Sequence, residues 1–178
     1  MNTLHEHNFI REDTNAKSLS FFCTGKVSFL DHKMLDRVKK IAFKRKENLR
    51  ISLHTSPDDA LHNMIILQHK GTYNKPHCHK KKAETYHIIE GRQTVFVFDE
   101  EGGIIDYCEM SKEGVFLYRF AEGYYHMSVP TSEYVIFHES KIGPFVRQGD
   151  SIFARWAPSG KSADEVNEYL ESIMGMKT

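Results

Sequence analysis

His77 and His79 stand two apart, and Glu84 follows in the segment GTYNKPHCHKKKAETYHIIEG, which Gly71 and Gly91 bound. Imidazole and carboxylate together suit iron, manganese, nickel, copper or zinc. Side chains of an extended chain alternate faces, so His77 and His79 should point one way and Cys78 the other. Pro76 suits the start of such a strand, where a missing N–H is tolerated. With Lys80, Lys81 and Lys82 as a solvated turn, a tight hairpin would return Glu84 beside the two histidines, and Gly91 would end the second strand in a sharp turn. Three ligands from one hairpin form a facial set that leaves positions open on the metal.

A fourth ligand has to come from a distant strand. His126 leads, because AEGYYHMSV places it just after a glycine turn and on a new strand. His54, His62, His69, His87 and His138 are the alternatives. Alternation sets His87 on the face opposite Glu84, and His138, within the apolar run YVIFHES, reads as a hydrogen-bonded core or rim residue. Spacing alone is weak evidence, since HEHNFIRE repeats it in His5, His7 and Glu12. That copy has no strand before it and lies in a terminal stretch, where ordering a loose segment opposes metal binding. It reads as a solvated tail.

The elements that must position these groups follow from patterning. Residues 1–30 lack periodicity and read as an irregular arm. Met34, Leu35, Val38, Ile41 and Ala42 recur at helical spacing between about 31 and 46, with Lys and Arg on the other, solvated face. From Leu49 onward, RISLH, LHNMIILQH, TYHIIE, QTVFVFD, GIIDYCEM, GVFLYRF and EYVIFHES read as short strands separated by turn signals. Asp99–Gly103 is a hairpin turn. Many short strands imply a sandwich or barrel. After an irregular stretch, Ser162 and Glu165 form a capping box ahead of Val166, Tyr169, Leu170 and Ile173 on one helical face. The division is therefore 1–30 arm, 31–160 β domain with a leading helix, and 161–178 C-terminal helix.

Composition narrows the partners. The chain has 178 residues, with 24 Lys plus Arg against 24 Asp plus Glu, so it offers no electrostatic case for nucleic acid or an anionic membrane. No apolar run approaches a membrane span, and the polar N-terminus is unlike a secretory signal. Three scattered cysteines fit a reducing, cytoplasmic setting better than a disulfide framework.

The block Gly71-x5-His77-x-His79-x4-Glu84-x6-Gly91 resembles the complete first motif of the cupins. The resemblance implies a single, mainly β, jelly-roll-like barrel with a helix at each end packed outside it. It also implies one metal held by three histidines and one glutamate: His77, His79, Glu84 and His126. In the second cupin motif AEGYYHMSVP aligns Gly123 and His126. Ala121 stands at the usual proline, Pro130 at the usual asparagine, and the leading glycine is displaced by one, to Gly114. NLRISLH, the PHCH block, FDEEGGII and GPF…FARWAP are in turn similar to the WbuC family of cupin-fold metalloproteins over roughly residues 30–160. That likeness implies a setting in bacterial O-antigen or other surface-polysaccharide biosynthesis and, by analogy, a homodimer.

One divalent ion, whether Fe, Mn, Ni or Zn, would act as a Lewis acid there. An octahedral ion keeps sites open for a carbohydrate-like small molecule, which suggests isomerase, epimerase or oxygenase chemistry. A four-coordinate zinc would instead be filled by these ligands and serve a non-catalytic sugar- or partner-binding module. Four further residues are candidates for contacting the small molecule. Arg50 and His54 share a strand face, Tyr86 shares Glu84's face, and Trp156 is placed to cover the pocket mouth; each also has a plain packing role. The catalytic residues stay unassigned.

Overall fold

The computed structural model describes residues 10–176 apart from 17 and 147. Its elements run β1 (Ile10–Glu12), β2 (Leu19–Cys23), α1 (His32–Arg45), β3 (Leu49–Ser52), β4 (Leu61–His69), β5 (His77–Cys78), β6 (Glu84–Phe98), β7 (Ile104–Ser111), β8 (Leu117–Phe120), β9 (Tyr125–Ile142), β10 (Ile152–Phe153) and α2 (Ala163–Gly175). This is the expected mainly β, cupin-type architecture with a helix at each end, built as one continuous sheet that stays open.

Two long strands organise it. β9 has 18 residues and β6 has 15, and they pair along almost their whole length. The register slips between Ile88 and Glu90 and again between Gly91 and Gln93, so the ribbon changes direction near Gly91. On one side of the bend, β9 carries β4 and β6 carries β8; on the other, β9 carries β5 and β6 carries β7. Residues from both halves meet in one inner core: Tyr86, Ile88, Val95, Val97, Phe120 and Phe137. The opposite faces are covered by helices. Leu35, Val38 and Ala42 of α1 pack on Leu49, Ile51, Leu67 and Ile136. Ile173, with Tyr169 and Leu170, places α2 over Phe96, Phe98 and Met127.

Both helices start where local chemistry favours it. Asp31 caps α1 by accepting from the Met34 N–H, and Ser162 caps α2 by accepting from the Glu165 N–H. The 99–103 turn is tied by the Asp99 carboxylate, which accepts from the Glu101 and Gly103 N–H groups.

Three local expectations are corrected. Residues 10–23 are not irregular: β2 runs parallel to β3, with all five residues buried, and β1 pairs with it. LSFFC is buried on both faces, so it lacks the alternation that marks a half-exposed strand. Glu12 pairs with Arg45 at 3.3 Å, while His5 and His7 lie outside the described residues. Gly91 does not end a strand; it sits at φ 77° within β6, at the corner. A Cβ there would lie 2.2 Å from the Tyr134 carbonyl oxygen, which is why the close approach needs glycine. Finally, β5 and β6 are not a hairpin. β5 pairs with β9 and β10, so Glu84 reaches the histidines through β9 rather than across a tight turn.

Two glycines separate backbone strain from crowding. Gly71 has φ 84° with open space around its Cβ position. Gly71→Ala should cost about 1 kcal/mol for the left-handed backbone alone, and Gly91→Ala about 3 kcal/mol because overpacking adds to it. Urea unfolding of both variants checks this; equal losses would contradict the crowding at Gly91.

Candidate metal centre

His77, His79, Glu84 and His126 converge inside the fold, with one ligand atom from each lying within 4.8 Å of all the others. Their positions follow from strand pairing. His77 and His126 face each other across the β5–β9 ladder. His79 follows β5 directly, where its carbonyl accepts from the Gly123 N–H at 2.8 Å. Glu84 opens β6 opposite Lys141 of β9 and Phe120 of β8. Cys78 points the other way, as alternation requires, and is buried.

The histidines share one tautomer. Nδ1 of His77 lies 3.2 Å from the Lys75 carbonyl oxygen, Nδ1 of His79 2.5 Å from that of Asp150, and Nδ1 of His126 3.0 Å from that of Tyr124. A carbonyl only accepts, so each Nδ1 donates a proton and each neutral ring presents the Nε2 lone pair inward. Yet His79 Nε2 sits 2.8 Å from Glu84 Oε1, without hydrogen-bond geometry, and His126 Nε2 sits 3.1 Å from Glu84 Oε2, in geometry that a proton on Nε2 would make a hydrogen bond. Lone pairs facing a carboxylate at that distance repel unless a positive charge intervenes. That charge is either a proton on Nε2 or a cation shared by the rings and the carboxylate. The donor set, with every Nδ1–H held by a backbone carbonyl, fits a divalent metal.

The surroundings are strongly charged and almost dry. Burial alone would raise the Glu84 pKa, but the close approach of His126 and His79, which favours positive charge beside the carboxylate, and the charge of Lys141 together hold it well below the usual carboxylate value. Burial likewise opposes a proton on His79, and there the Glu84 carboxylate wins and raises its pKa. His77 goes the other way: burial, then the neighbouring His126, lowers it to about 4. Lys141 bridges Glu84 at 3.2 Å and Glu139 at 3.4 Å. Burial pushes Glu139 up, helped by the charge on Glu84.

The other candidates separate in space. The Tyr86 hydroxyl donates to Glu84 at 3.4 Å from a fully packed position, so it lies behind the cluster. Arg50 projects from β3 near enough to Glu139 for its charge to oppose, weakly, the rise in the Glu139 pKa. His54 stacks on His62, ring centroids 4.1 Å apart, beside a cavity of about 530 Å³ that Lys26, Asp59, Asn63 and His138 also line. Trp156 does not cover the mouth of the cluster. It packs on Phe98 and Tyr125, which alternation turns away from His126, and joins the core under α2. The aromatic rings beside the cluster are Phe120, stacked on His126 with centroids 4.5 Å apart, and Phe153 of β10, 5.8 Å from His77 and more than half exposed. Of the alternative ligands, His62 bonds to the Pro57 carbonyl, His138 to the Asn63 side chain and His69 packs on Phe43, while His87 is exposed.

The lysine run is only partly a solvated turn. Lys80 and Lys81 are exposed, but Lys82 turns back to Asp150 and to the Pro144 carbonyl. Lys82, Lys141, Asp150 and Phe153 were not singled out by spacing. Lys141 follows Glu139 and Ser140 at the polar end of β9, so alternation gives it no distinct signal.

Comparison with known proteins agrees on the fold. A family model described as "Domain of unknown function (DUF6016)" matches residues 30–110. No curated protein matches the sequence. Among solved structures, the chain is similar to the capsular polysaccharide assembling protein CapF from Staphylococcus aureus, at 16% identity and TM-score 0.51, over 58% of this chain and 29% of that one. It is similar to Cellulomonas parahominis L-ribose isomerase with L-ribose at 14% identity and TM-score 0.51, over 64% of this chain and 72% of that one. A weaker likeness, TM-score 0.43 at 16% identity over 53% of this chain and 60% of that one, is to the Schizosaccharomyces pombe Cnp3 cupin domain. The chain thus spans under a third of the CapF chain, and it has the cupin fold.

Burial, then the adjacent His62, lowers the His54 pKa from 6.5 to about 4. The unfolded chain therefore takes up this proton before the folded one. Stability should fall as pH drops from about 6.5 toward 4, and this contribution should be flat above that window. Urea titrations across the window should show a shallower slope for His54→Asn than for the parent chain. Equal slopes would mean that His54 protonates freely in the fold.

Proposed function

We propose that this cupin-fold chain holds one divalent metal ion through His77, His79, Glu84 and His126 and is a metal-dependent enzyme acting on a small carbohydrate-like molecule. The observation that carries the metal is the shared tautomer: two buried Nε2 atoms, those of His79 and His126, face one carboxylate with His77 beside them, and each Nδ1–H is already used. A bound Fe, Mn, Ni or Zn ion would supply Lewis-acid polarisation of a substrate oxygen. The protein's own part is to hold the four ligands, to keep Glu84 ionised through Lys141 and Tyr86, and to screen one side of the site with Phe153.

The carbohydrate direction comes from the resemblance to the WbuC family. It agrees with fold neighbours that are a capsular polysaccharide assembling protein and an L-ribose isomerase. On that reading the reaction is an isomerisation, epimerisation or oxygenation of a free or nucleotide-linked sugar. Arg50 and His54 would contact polar groups of the substrate, and residues 31–160 would be the working domain, in the cytoplasm. No described helix is long and apolar enough to cross a membrane. A homodimer is part of the same reading. Ile105 and Tyr107 of β7 and Phe116 and Leu117 near β8 are exposed apolar groups that a second copy would cover. Light scattering should give twice the chain mass, and a monomer at high concentration would contradict it.

One observation favours a second reading, a non-catalytic metal-stabilised binding module. Among the described residues, Tyr86 and Lys141, the polar side chains that bond to Glu84, are already engaged with Glu84 and Glu139 and so are not free to act as an acid–base pair.

Elemental analysis of the purified protein should find about one divalent ion per chain, and His79→Ala should lower it below about a tenth while the fold survives. A panel of sugars and sugar nucleotides should then yield a product that disappears on chelation. Metal-stripped protein turning over at the full rate would overturn the enzymatic reading. Ligand binding without any product, together with a lower melting temperature on stripping, would favour the module.

A further inference from the structure

We infer that Asp150 and Lys82 form a clasp that positions His79 for metal binding. The inference rests on the reading that the cluster holds a divalent metal. The three histidines are not oriented alike. His77 and His126 each donate Nδ1–H to a carbonyl two residues back, Lys75 and Tyr124, so their own strands fix their tautomers. His79 alone depends on a distant partner, the carbonyl of Asp150, 71 residues away and 2.5 Å from Nδ1. Whatever fixes residue 150 therefore fixes His79.

Two things hold it. The chain downstream is pinned where Ile152 of β10 pairs with Cys78 of β5. The Asp150 carboxylate itself is 2% exposed; its Oδ1 accepts from Lys82 Nζ, and its Oδ2 has no hydrogen-bond partner and lies 3.8 Å from His79 Nδ1. A buried carboxylate is costly unless its charge is compensated. Here the compensation comes from Lys82 on one side and the polarised His79 N–H on the other. Lys82 also donates to the Pro144 carbonyl, which ties the segment after β9 to the segment before Glu84. The clasp thus joins the chain on both sides of the site and strengthens His79 as a ligand, since a carbonyl and a carboxylate beside Nδ1–H increase the basicity of Nε2. Asp150 and Lys82 are positioning residues; neither reaches the metal ligands' inward-facing atoms.

The test is Zn(II) titrated in competition with a chromophoric chelator, using the full chain and the variants Asp150→Asn, Lys82→Met and Lys82→Arg. Asp150→Asn and Lys82→Met should each weaken Zn(II) binding about 10–100-fold. Together they should weaken it by less than the product of the single effects, because they share one interaction. Lys82→Arg, which keeps the ion pair, should restore most of the affinity. Melting of the metal-free proteins separates positioning from folding: affinity lost while metal-free melting stays near that of the parent supports the clasp. If Asp150→Asn does not fold, Lys82→Met decides alone. Parent-like affinity in the variants overturns the clasp and leaves the metal reading intact. Failure of the parent chain to bind Zn(II), Mn(II), Fe(II) or Ni(II) at all overturns both.

Discussion

A buried carboxylate that faces imidazole lone pairs across about a hydrogen-bond length is the constraint around which the rest is arranged. Glu84 has His79 on one oxygen and His126 on the other, and a backbone carbonyl already accepts the N–H on the far side of each ring. Water is almost excluded, so solvent cannot relieve the conflict. Lys141 neutralises part of the charge, yet it is shared with Glu139. A divalent ion satisfies all four ligands at once, whereas protons satisfy them only by charging buried rings.

The sheet makes this convergence possible. β9 carries His126 near its start and Lys141 near its end, and β6 carries Glu84 at its start; a straight ribbon of that length would leave His126 far from Glu84. The slip at Gly91 folds the ribbon so that both ends line one interior, and β5 then docks on β9 to add His77 and His79. Helices α1 and α2 cover the outer faces and leave the inner face to the polar cluster and its apolar floor.

Much of this was legible in the sequence. Period-2 alternation placed His77 and His79 on one face with Cys78 behind, the helical spacing of Leu35, Val38 and Ala42 marked the buried stripe of α1, and the Ser162–Glu165 pair marked the start of α2. His126 was separable from His87 and His138 by its turn and its phase. What escaped had long-range causes. LSFFC is buried on both faces, so it shows no alternation. Gly91 reads as a strand end because a corner and an end both require φ above zero. The β5–β9 pairing cannot be seen from residues 77–84 alone, which is why a tight hairpin looked sufficient. Trp156 is adjacent to the site in sequence register but on the wrong side of the sheet. Lys82 looked like one of three equivalent turn lysines until Asp150, far along the chain, came to meet it.

The most direct measurement is anomalous diffraction from crystals of the protein grown with its native metal, collected at the absorption edge of the element found. A single peak enclosed by Nε2 of His77, His79 and His126 and a carboxylate oxygen of Glu84, at roughly 2.0–2.2 Å from each, is the predicted result. No peak at that position, with His79 and His126 instead bonded directly to Glu84 as imidazolium ions, would contradict the metal centre.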